Sequence, residues 1–134
     1  MDWSRGTPRR FETHNLSASP QLDLPRFIAF TMPPIASVGL SEKQAREQGL
    51  KFRVQKQRAS DWYAARRVAE TIYGFKVLVE DGTDHVLGAH LVGQNVDEVI
   101  NIFALAMRNG LTAEDLKTTI FAYPTRTSDI CYMV

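Results

Sequence analysis

The chain has 134 residues, of which 44% are hydrophobic and 23% are charged. This length is enough for one folded core, because domains usually contain about 100 to 150 residues. The formal net charge of +1 provides no field strong enough to favour nucleic acid or an anionic membrane as a partner. The single cysteine, Cys131, excludes an internal disulfide, a CxxC redox pair and a cysteine-based zinc site within one chain.

The N-terminal part of the chain has no targeting or membrane signal. No run approaches the roughly 20 apolar residues of a membrane span, and MDWSRGTPRRFETHN lacks the apolar stretch of a secretory signal. We therefore expect a protein of the reducing cytoplasm with no membrane partner. Residues 1–24 show no period of 2 or 3.6, so we interpret them as an irregular arm or linker before a domain over residues 25–134.

The domain begins with two short apolar runs, RFIAF and IASVGL, separated by TMPP. Two prolines keep that connection out of a central strand, so the pattern predicts two strands and a tight turn. Ser41 followed by Gln44 is typical of a capping box, and Gly49 stands where a left-handed C-cap is expected. These residues predict a short helix over residues 42–48.

The middle of the sequence is rich in strand patterns. In KFRVQKQR, Phe52 and Val54 alternate with polar residues, as in a half-buried strand. Its four basic residues are better explained by a solvated face than by phosphate contacts, and we expect no nucleic-acid partner. SDWYAARRVAE is ambiguous and compatible with one helical turn. TIYGFKVLVEDGTDHVLGAHLVG predicts a hairpin, with His90 as a packing residue of its second strand.

The longest predicted helix lies in NVDEVINIFALAMRNG, over residues 96–109, with Asn95 as its N-cap and Gly110 just beyond its end. Its first apolar stripe comprises Val96, Val99, Ile100, Phe103 and Met107, and its second comprises Ile102, Leu105 and Ala106. Either elements of the same chain cover both stripes, or part of the helix contacts another subunit. A further helix is predicted to open at Thr112.

The chain lacks the common catalytic patterns. Its eight glycines form neither GxGxxG nor GxxxxGK[ST], so no dinucleotide turn or phosphate loop is predicted. His14, His85 and His90 lie in the arm, a turn and a strand, without a matched nucleophile. We interpret Cys131 as a small buried or interfacial hydrophobic residue, with a reactive thiol as the alternative. The residues alone predict a dimer-capable α+β domain without a self-contained active site.

Three blocks from residue 25 onward carry a resemblance to a known family: FIAFTMPPIASVGLSEKQA, VLGAHLVGQNVDEVINIFALAMRNGLTAEDL and TIFAYPT. In this order and spacing, they resemble the C-terminal interface domain of the FAD- and NAD(P)-dependent disulfide oxidoreductases, the group of glutathione reductase, dihydrolipoamide dehydrogenase and mercuric reductase. The resemblance implies an antiparallel sheet flanked by helices and a homodimer in which the long helix and the C-terminal end pack on a twofold partner. It also implies FAD and NAD(P) bound by preceding domains of a full-length parent enzyme, and no cofactor for this chain alone.

The family closes on His-Pro-Thr-x-Ser-Glu, in which the histidine is the acid/base for the dithiol of the opposite subunit and the glutamate orients it. Here Tyr123 stands at the histidine position, Pro124 and Thr125 match, and Ser128 stands at the glutamate position, with Asp129 one residue later. A phenol titrates near pH 10 and cannot cycle a proton at neutral pH as an imidazole does. The resemblance therefore implies that the acid-base pair is absent.

In a full-length enzyme, the resemblance places Tyr123, Pro124 and Thr125 beside the flavin of the partner subunit. Three roles of Tyr123 stay open: packing or hydrogen bonding beside the flavin, a purely structural aromatic, and a catalytic acid. The sequence thus predicts the dimerisation domain of an FAD- and NAD(P)-dependent oxidoreductase without the usual His/Glu pair. The alternative is a freestanding homodimeric interaction module without enzymatic activity, which a true start at Met1 would favour.

Overall fold

The structure is a computed structural model that describes residues 25–134. The interpretation of residues 1–24 as an arm, including His14, lies outside the described residues. The elements are β1 (Arg26–Ala29), β2 (Ile35–Gly39), α1 (Glu42–Glu47), β3 (Phe52–Arg58), α2 (Tyr63–Arg66), β4 (Gly74–Glu80), β5 (Val86–Val92), α3 (Val96–Arg108), α4 (Ala113–Thr118) and a C-terminal 3-10 helix (Thr127–Tyr132). The predicted α+β class is confirmed. Among the described residues, no helix combines the length and the apolar character that crossing a membrane requires.

The five strands form one antiparallel sheet in the order β1-β2-β5-β4-β3. β4 and β5 form the predicted hairpin, and β1 and β2 pair on either side of the proline-containing connection. Side chains alternate between the two faces of a strand, so the register brings one buried set onto the face that contacts α3: Ala36, Val38, Phe75, Val77, Ala89 and Leu91. The core lies between this face and α3.

Helix α3 buries most of its first apolar stripe in this core. Val96, Val99, Ile100 and Phe103 are buried and Met107 is half-buried. The second stripe divides, because Ala106 is buried and Ile102 is half-buried, whereas Leu105 is 59% exposed. The chain therefore covers the first stripe by itself and leaves one side of the helix open at Leu105.

The predicted N-cap residue of α3, Asn95, is confirmed, but its side chain does not make the bond that an N-cap usually makes. The backbone of Asn95 is left-handed, with φ of 62°. Asparagine tolerates this conformation better than most residues, which explains its presence. By contrast, the predicted capping box of α1 is confirmed: the Gln44 backbone N–H donates to Ser41 Oγ, and the Ser41 N–H donates to Gln44 Oε1. Gly49 is left-handed, as predicted.

The basic side chains of β3 are exposed, as predicted, but they do not share one face. Arg53 lies on the face of the core residue Val79, whereas Lys56 and Arg58 lie on the other. Arg53 donates to Asp84 at 2.7 Å, and Arg58 donates to the Thr71 carbonyl at 3.2 Å. On the neighbouring strand β5, His90 is half-buried and its Nε2 lies 3.1 Å from the Leu40 carbonyl oxygen. Burial lowers the pKa of His90, so this residue packs as a neutral imidazole.

Candidate functional site

The candidate site is the loop between α4 and the 3-10 helix, residues 119–126, here called the C-terminal loop. It carries Tyr123, Pro124 and Thr125, and the Tyr123–Pro124 peptide bond is cis. Tyr123 is 72% exposed, and Ile120 is 98% exposed. The loop therefore presents two large side chains with apolar surface to solvent.

Thr125 and Ser128 hold the loop by reciprocal hydrogen bonds. The Thr125 N–H donates to Ser128 Oγ at 3.2 Å, and the Ser128 N–H donates to Thr125 Oγ1 at 3.1 Å. Ser128 Oγ also donates to the Thr125 carbonyl at 2.6 Å, and Thr125 Oγ1 donates to the Ala122 carbonyl at 2.6 Å. Ser128 therefore closes the turn, and its hydroxyl is engaged with Thr125.

The ring of Tyr123 stacks on Tyr63 of α2, with ring centroids 6.1 Å apart and planes inclined by 19°. Tyr63 is itself 59% exposed, so the two rings form an exposed aromatic pair. The sequence analysis did not find Tyr63, because its segment shows no clear period and the two tyrosines lie far apart in the chain. A contact of this kind depends on tertiary structure, and the local sequence pattern does not predict it.

Asp129 points into the interior rather than towards Tyr123. Its carboxylate accepts a hydrogen bond from the Tyr73 hydroxyl at 2.9 Å, and it is 7% exposed. Burial raises the pKa of Asp129, while its contacts with Tyr73 and Arg126 oppose that rise. The pKa of Tyr73 is also raised, first by burial and then by the neighbouring carboxylate. The Asp129 carboxylate therefore has a structural contact in the interior.

Arg126 completes a buried ionic cluster, which comprises Glu70, Tyr73, Arg126 and Asp129. Its guanidinium pairs with Glu70, lies 4.0 Å from the Asp129 carboxylate and is centred 4.1 Å from the centroid of the Tyr73 ring. Glu70 also accepts a hydrogen bond from the backbone N–H of Gln94. Arg126 is only 7% exposed, and burial lowers its pKa, an effect that Asp129 opposes. Asp129 is the only residue of this cluster that the sequence alone had marked as a candidate.

The 3-10 helix that follows the loop is fastened to the domain by aromatic contacts. Trp62 packs against Tyr132 of this helix, with centroids 5.8 Å apart, and against Tyr73 and Phe75 of the core. Cys131 is half-buried, and its thiol lies 3.2 Å from the Ser128 carbonyl. This placement suits the interpretation of Cys131 as a small packing residue.

Within residues 25–134, no three histidine, cysteine or acidic side chains come together in a way that could hold a metal ion. The loop brings Tyr123 together with Tyr63, while the neighbouring Ser128 and Asp129 are engaged elsewhere. A proton relay needs a base held in place by a second group. The described residues of this site instead form an exposed, rigidly supported aromatic surface.

Comparison with known proteins identifies the domain. Residues 25–133 match the family described as the pyridine nucleotide-disulphide oxidoreductase dimerisation domain. A Staphylococcus aureus protein, described as an uncharacterized 19.7 kDa protein in mercuric resistance operon, is 45% identical over 105 residues, covering 78% of this chain and 58% of that protein. Mitochondrial dihydrolipoyl dehydrogenase of Sus scrofa is 38% identical over 98 residues, covering 73% of this chain and 19% of the enzyme.

Solved structures agree with these matches. The HOCl-induced flavoprotein disulfide reductase RclA from Escherichia coli has a TM-score of 0.78 and 30% identity, over 82% of this chain and 25% of that protein. This chain thus spans a small part of the enzymes that it matches. Members of the family are FAD- and NAD(P)-dependent flavoproteins. The family match covers nearly all of the described residues and confirms the resemblance, so the chain belongs to the family of pyridine nucleotide-disulphide oxidoreductase dimerisation domains.

Proposed function

We propose that this chain forms a homodimer and serves as the dimerisation domain of an FAD- and NAD(P)-dependent oxidoreductase. The family match over residues 25–133 carries the proposal, because the family is described as a dimerisation domain. Three exposed side chains supply apolar surface for the contact: Leu105 of α3, with Ile120 and Tyr123 of the C-terminal loop. Exposed apolar side chains are typical of the buried centre of a homodimer interface.

In the full-length enzyme, Tyr123, Pro124 and Thr125 lie beside the flavin of the partner subunit. Tyr123 packs or donates a hydrogen bond there and does not cycle a proton. The engagement of Ser128 with Thr125 and of Asp129 with Tyr73 supports this role, since neither side chain is free to orient an acid at position 123.

The role of Tyr123 is tested in the full-length enzyme with the Tyr123→Phe variant. Losing a general acid or base typically costs about a hundredfold or more in turnover. We expect Tyr123→Phe to keep flavin content and dimerisation, with a fall in turnover well under that factor. A loss of about a hundredfold or more, together with loss of an alkaline limb in the pH profile, would instead assign catalysis to Tyr123.

Self-association is tested by sedimentation equilibrium of the chain at micromolar concentration. A charge placed in the interface should break the dimer, because an unpaired charge is costly to bury. Ile120→Asp should therefore give a monomer, whereas Ile72→Asp, at an isoleucine that is 54% exposed outside α3 and the C-terminal loop, should leave the dimer intact. A monomeric wild-type chain at high concentration contradicts the proposal, and equal effects of the two variants contradict the assignment of the interface.

A second candidate function is a freestanding homodimeric module without enzymatic activity. The S. aureus relative favours it, because a protein of 19.7 kDa carries this domain and is far shorter than dihydrolipoyl dehydrogenase, of which this chain spans 19%. The coding sequence upstream of Met1 separates the two candidates: a frame with GxGxxG and CxxxxC supports the enzyme, and a stop codon supports the module. For both we propose the reducing cytoplasm as the compartment.

A further inference from the structure

The buried ionic cluster joins segments that are distant in the chain. Glu70 follows α2, and Tyr73 immediately precedes β4. Arg126 ends the C-terminal loop, and Asp129 lies in the 3-10 helix. The cluster therefore ties the middle and the end of the connection between α2 and β4 to the segment that follows Tyr123.

The cluster and the exposed aromatic pair lie on the same two segments of the chain. Tyr63 belongs to α2, whose connection contains Glu70, and Tyr123 stands three positions before Arg126. Each tyrosine thus lies on a segment that ends in one member of the Glu70–Arg126 ion pair. The two rings stack only if the two segments keep a fixed separation, and the ion pair and the Trp62–Tyr132 ring contact together link these segments.

Charges inside a protein are held in place by direction as well as by strength. A guanidinium is a planar charged group, so a rotation removes its stacking on an aromatic ring and a shift weakens its attraction to a carboxylate. Arg126 is constrained further because it lies over the Tyr73 ring and beside Asp129. Apolar side chains of similar volume can replace a buried ion pair without loss of stability, but they supply no such direction.

We infer that Arg126 is a positioning residue for the C-terminal loop: its ion pair with Glu70 and its stacking on Tyr73 hold the Tyr63–Tyr123 pair in the orientation that meets the partner subunit. The reference to a partner rests on the proposed function, whereas the orientation of the two rings is a property of the single chain. Ser128 bonds to Thr125 and Asp129 accepts from Tyr73, so neither holds the ring at position 123, and we assign that role to Arg126.

The inference is tested on the full chain by NMR of the tyrosine rings and by sedimentation equilibrium. The wild type should show a nuclear Overhauser contact between the rings of Tyr63 and Tyr123. Arg126→Met should lose that contact and raise the dimer dissociation constant at least tenfold. Arg46→Met is the matched control, because Arg46 also pairs with a glutamate and lies over an aromatic ring, but on the exposed face of α1. It should change neither measurement.

A double variant separates positioning from plain stabilisation. Glu70→Met with Arg126→Met removes both charges, so we expect it to regain the melting temperature that Arg126→Met loses. The ring contact should nevertheless stay absent and the dissociation constant raised, since methionine is flexible and forms no directed bonds. Return of the ring contact together with the melting temperature would show that Arg126 contributes stability alone, and the inference would be wrong.

Each remaining outcome also supports or overturns the positioning role of Arg126. A ring contact that survives in Arg126→Met, or that is absent from the wild type, overturns the inference. If Arg126→Met does not fold, the double variant and Arg126→Lys are tested instead. Arg126→Lys should fold with a weakened ring contact, because its ammonium lacks the planar shape of a guanidinium. A monomeric wild type refutes the proposed function, while the NMR contacts still decide whether Arg126 positions the loop.

Discussion

The hydrogen bond between Tyr73 and Asp129 offers a sharp test of the buried ionic cluster. The hydroxyl and the carboxylate are 2.9 Å apart, and the two residues are 2% and 7% exposed. Tyr73→Phe removes the donor, keeps the ring and leaves a buried carboxylate with one hydrogen bond fewer. A buried acceptor that loses its partner costs about 1 to 3 kcal/mol. At roughly 4 °C per kcal/mol for a domain of this size, the melting temperature should fall by about 4 to 12 °C at pH 7.

The same variant should show a characteristic dependence on pH. Burial and the Asp129 carboxylate raise the pKa of Tyr73 in the folded chain, whereas an unfolded tyrosine titrates near pH 10. Above that pH, the unfolded wild type releases a proton that the folded form retains, so its free energy of unfolding falls by about 1.4 kcal/mol per pH unit. Tyr73→Phe lacks this phenol. The stability advantage of the wild type should therefore be present at pH 7 and disappear within about two units above pH 10.

Urea unfolding followed by circular dichroism, at pH 7 and at several values between pH 9 and 12, provides the measurement. Tyr132→Phe is the control, because Tyr132 is 66% exposed and its loss should change the free energy of unfolding little at any pH. If the free energies of unfolding of the wild type and Tyr73→Phe differ by less than about 0.5 kcal/mol at pH 7, the hydrogen bond contributes less than the expected range of about 1 to 3 kcal/mol. A large difference that does not change above pH 10 would refute the assignment of a raised pKa to Tyr73.

Two further perturbations test contacts elsewhere in the fold. Hydrogen bonds from Arg53 and from the N-terminus of α4 lower the pKa of Asp84. The ionised carboxylate therefore stabilises the fold above about pH 4, and this contribution is lost as the pH falls through the folded pKa. Asp84→Asn should cost less than about 1 kcal/mol at pH 7, because the site is partly exposed, and urea titrations should show this cost shrinking as the pH falls below about 4. Gly88→Ala should destabilise by about 1 to 3 kcal/mol or more, since its Cβ would lie 2.1 Å from the Leu40 carbonyl. Gly82→Ala, where a Cβ meets open space but φ is positive, should cost only about 1 to 2 kcal/mol; equal melting temperatures of the two alanine variants would contradict this account.

Much of the fold could be predicted because its signals are local. The capping box of α1 spans four residues, and the hairpin of β4 and β5 follows from two β-rich runs around a glycine-containing turn. The sheet register follows from alternation, since one face of these strands must be buried. The N-cap of α3 is a partial exception, because Asn95 stands at the predicted position but contributes a left-handed backbone rather than the usual side-chain bond.

The candidate site could be predicted only in part. The position of the C-terminal loop followed from the family resemblance, but its supporting contacts join residues far apart in the chain. Tyr73 and Asp129 are separated by 56 positions. Glu70 follows two arginines in a segment without a clear period, and such a charge pattern is normally solvated. The burial of Glu70 could not be predicted from its own segment, because it depends on Arg126, which the fold brings beside it.

The geometry of the 3-10 helix explains why Ser128 and Asp129 have different environments. A 3-10 helix has three residues per turn, so consecutive side chains point about 120° apart. Ser128 therefore faces the C-terminal loop, where it bonds to Thr125, and Asp129 faces the interior, where it accepts the Tyr73 hydroxyl. A shift of one residue changes the environment of the carboxylate from the loop to the core, and burial then raises its pKa. The acidic group of this segment thus holds the loop in place and does not orient a proton donor, which favours an interface over a catalytic role for Tyr123.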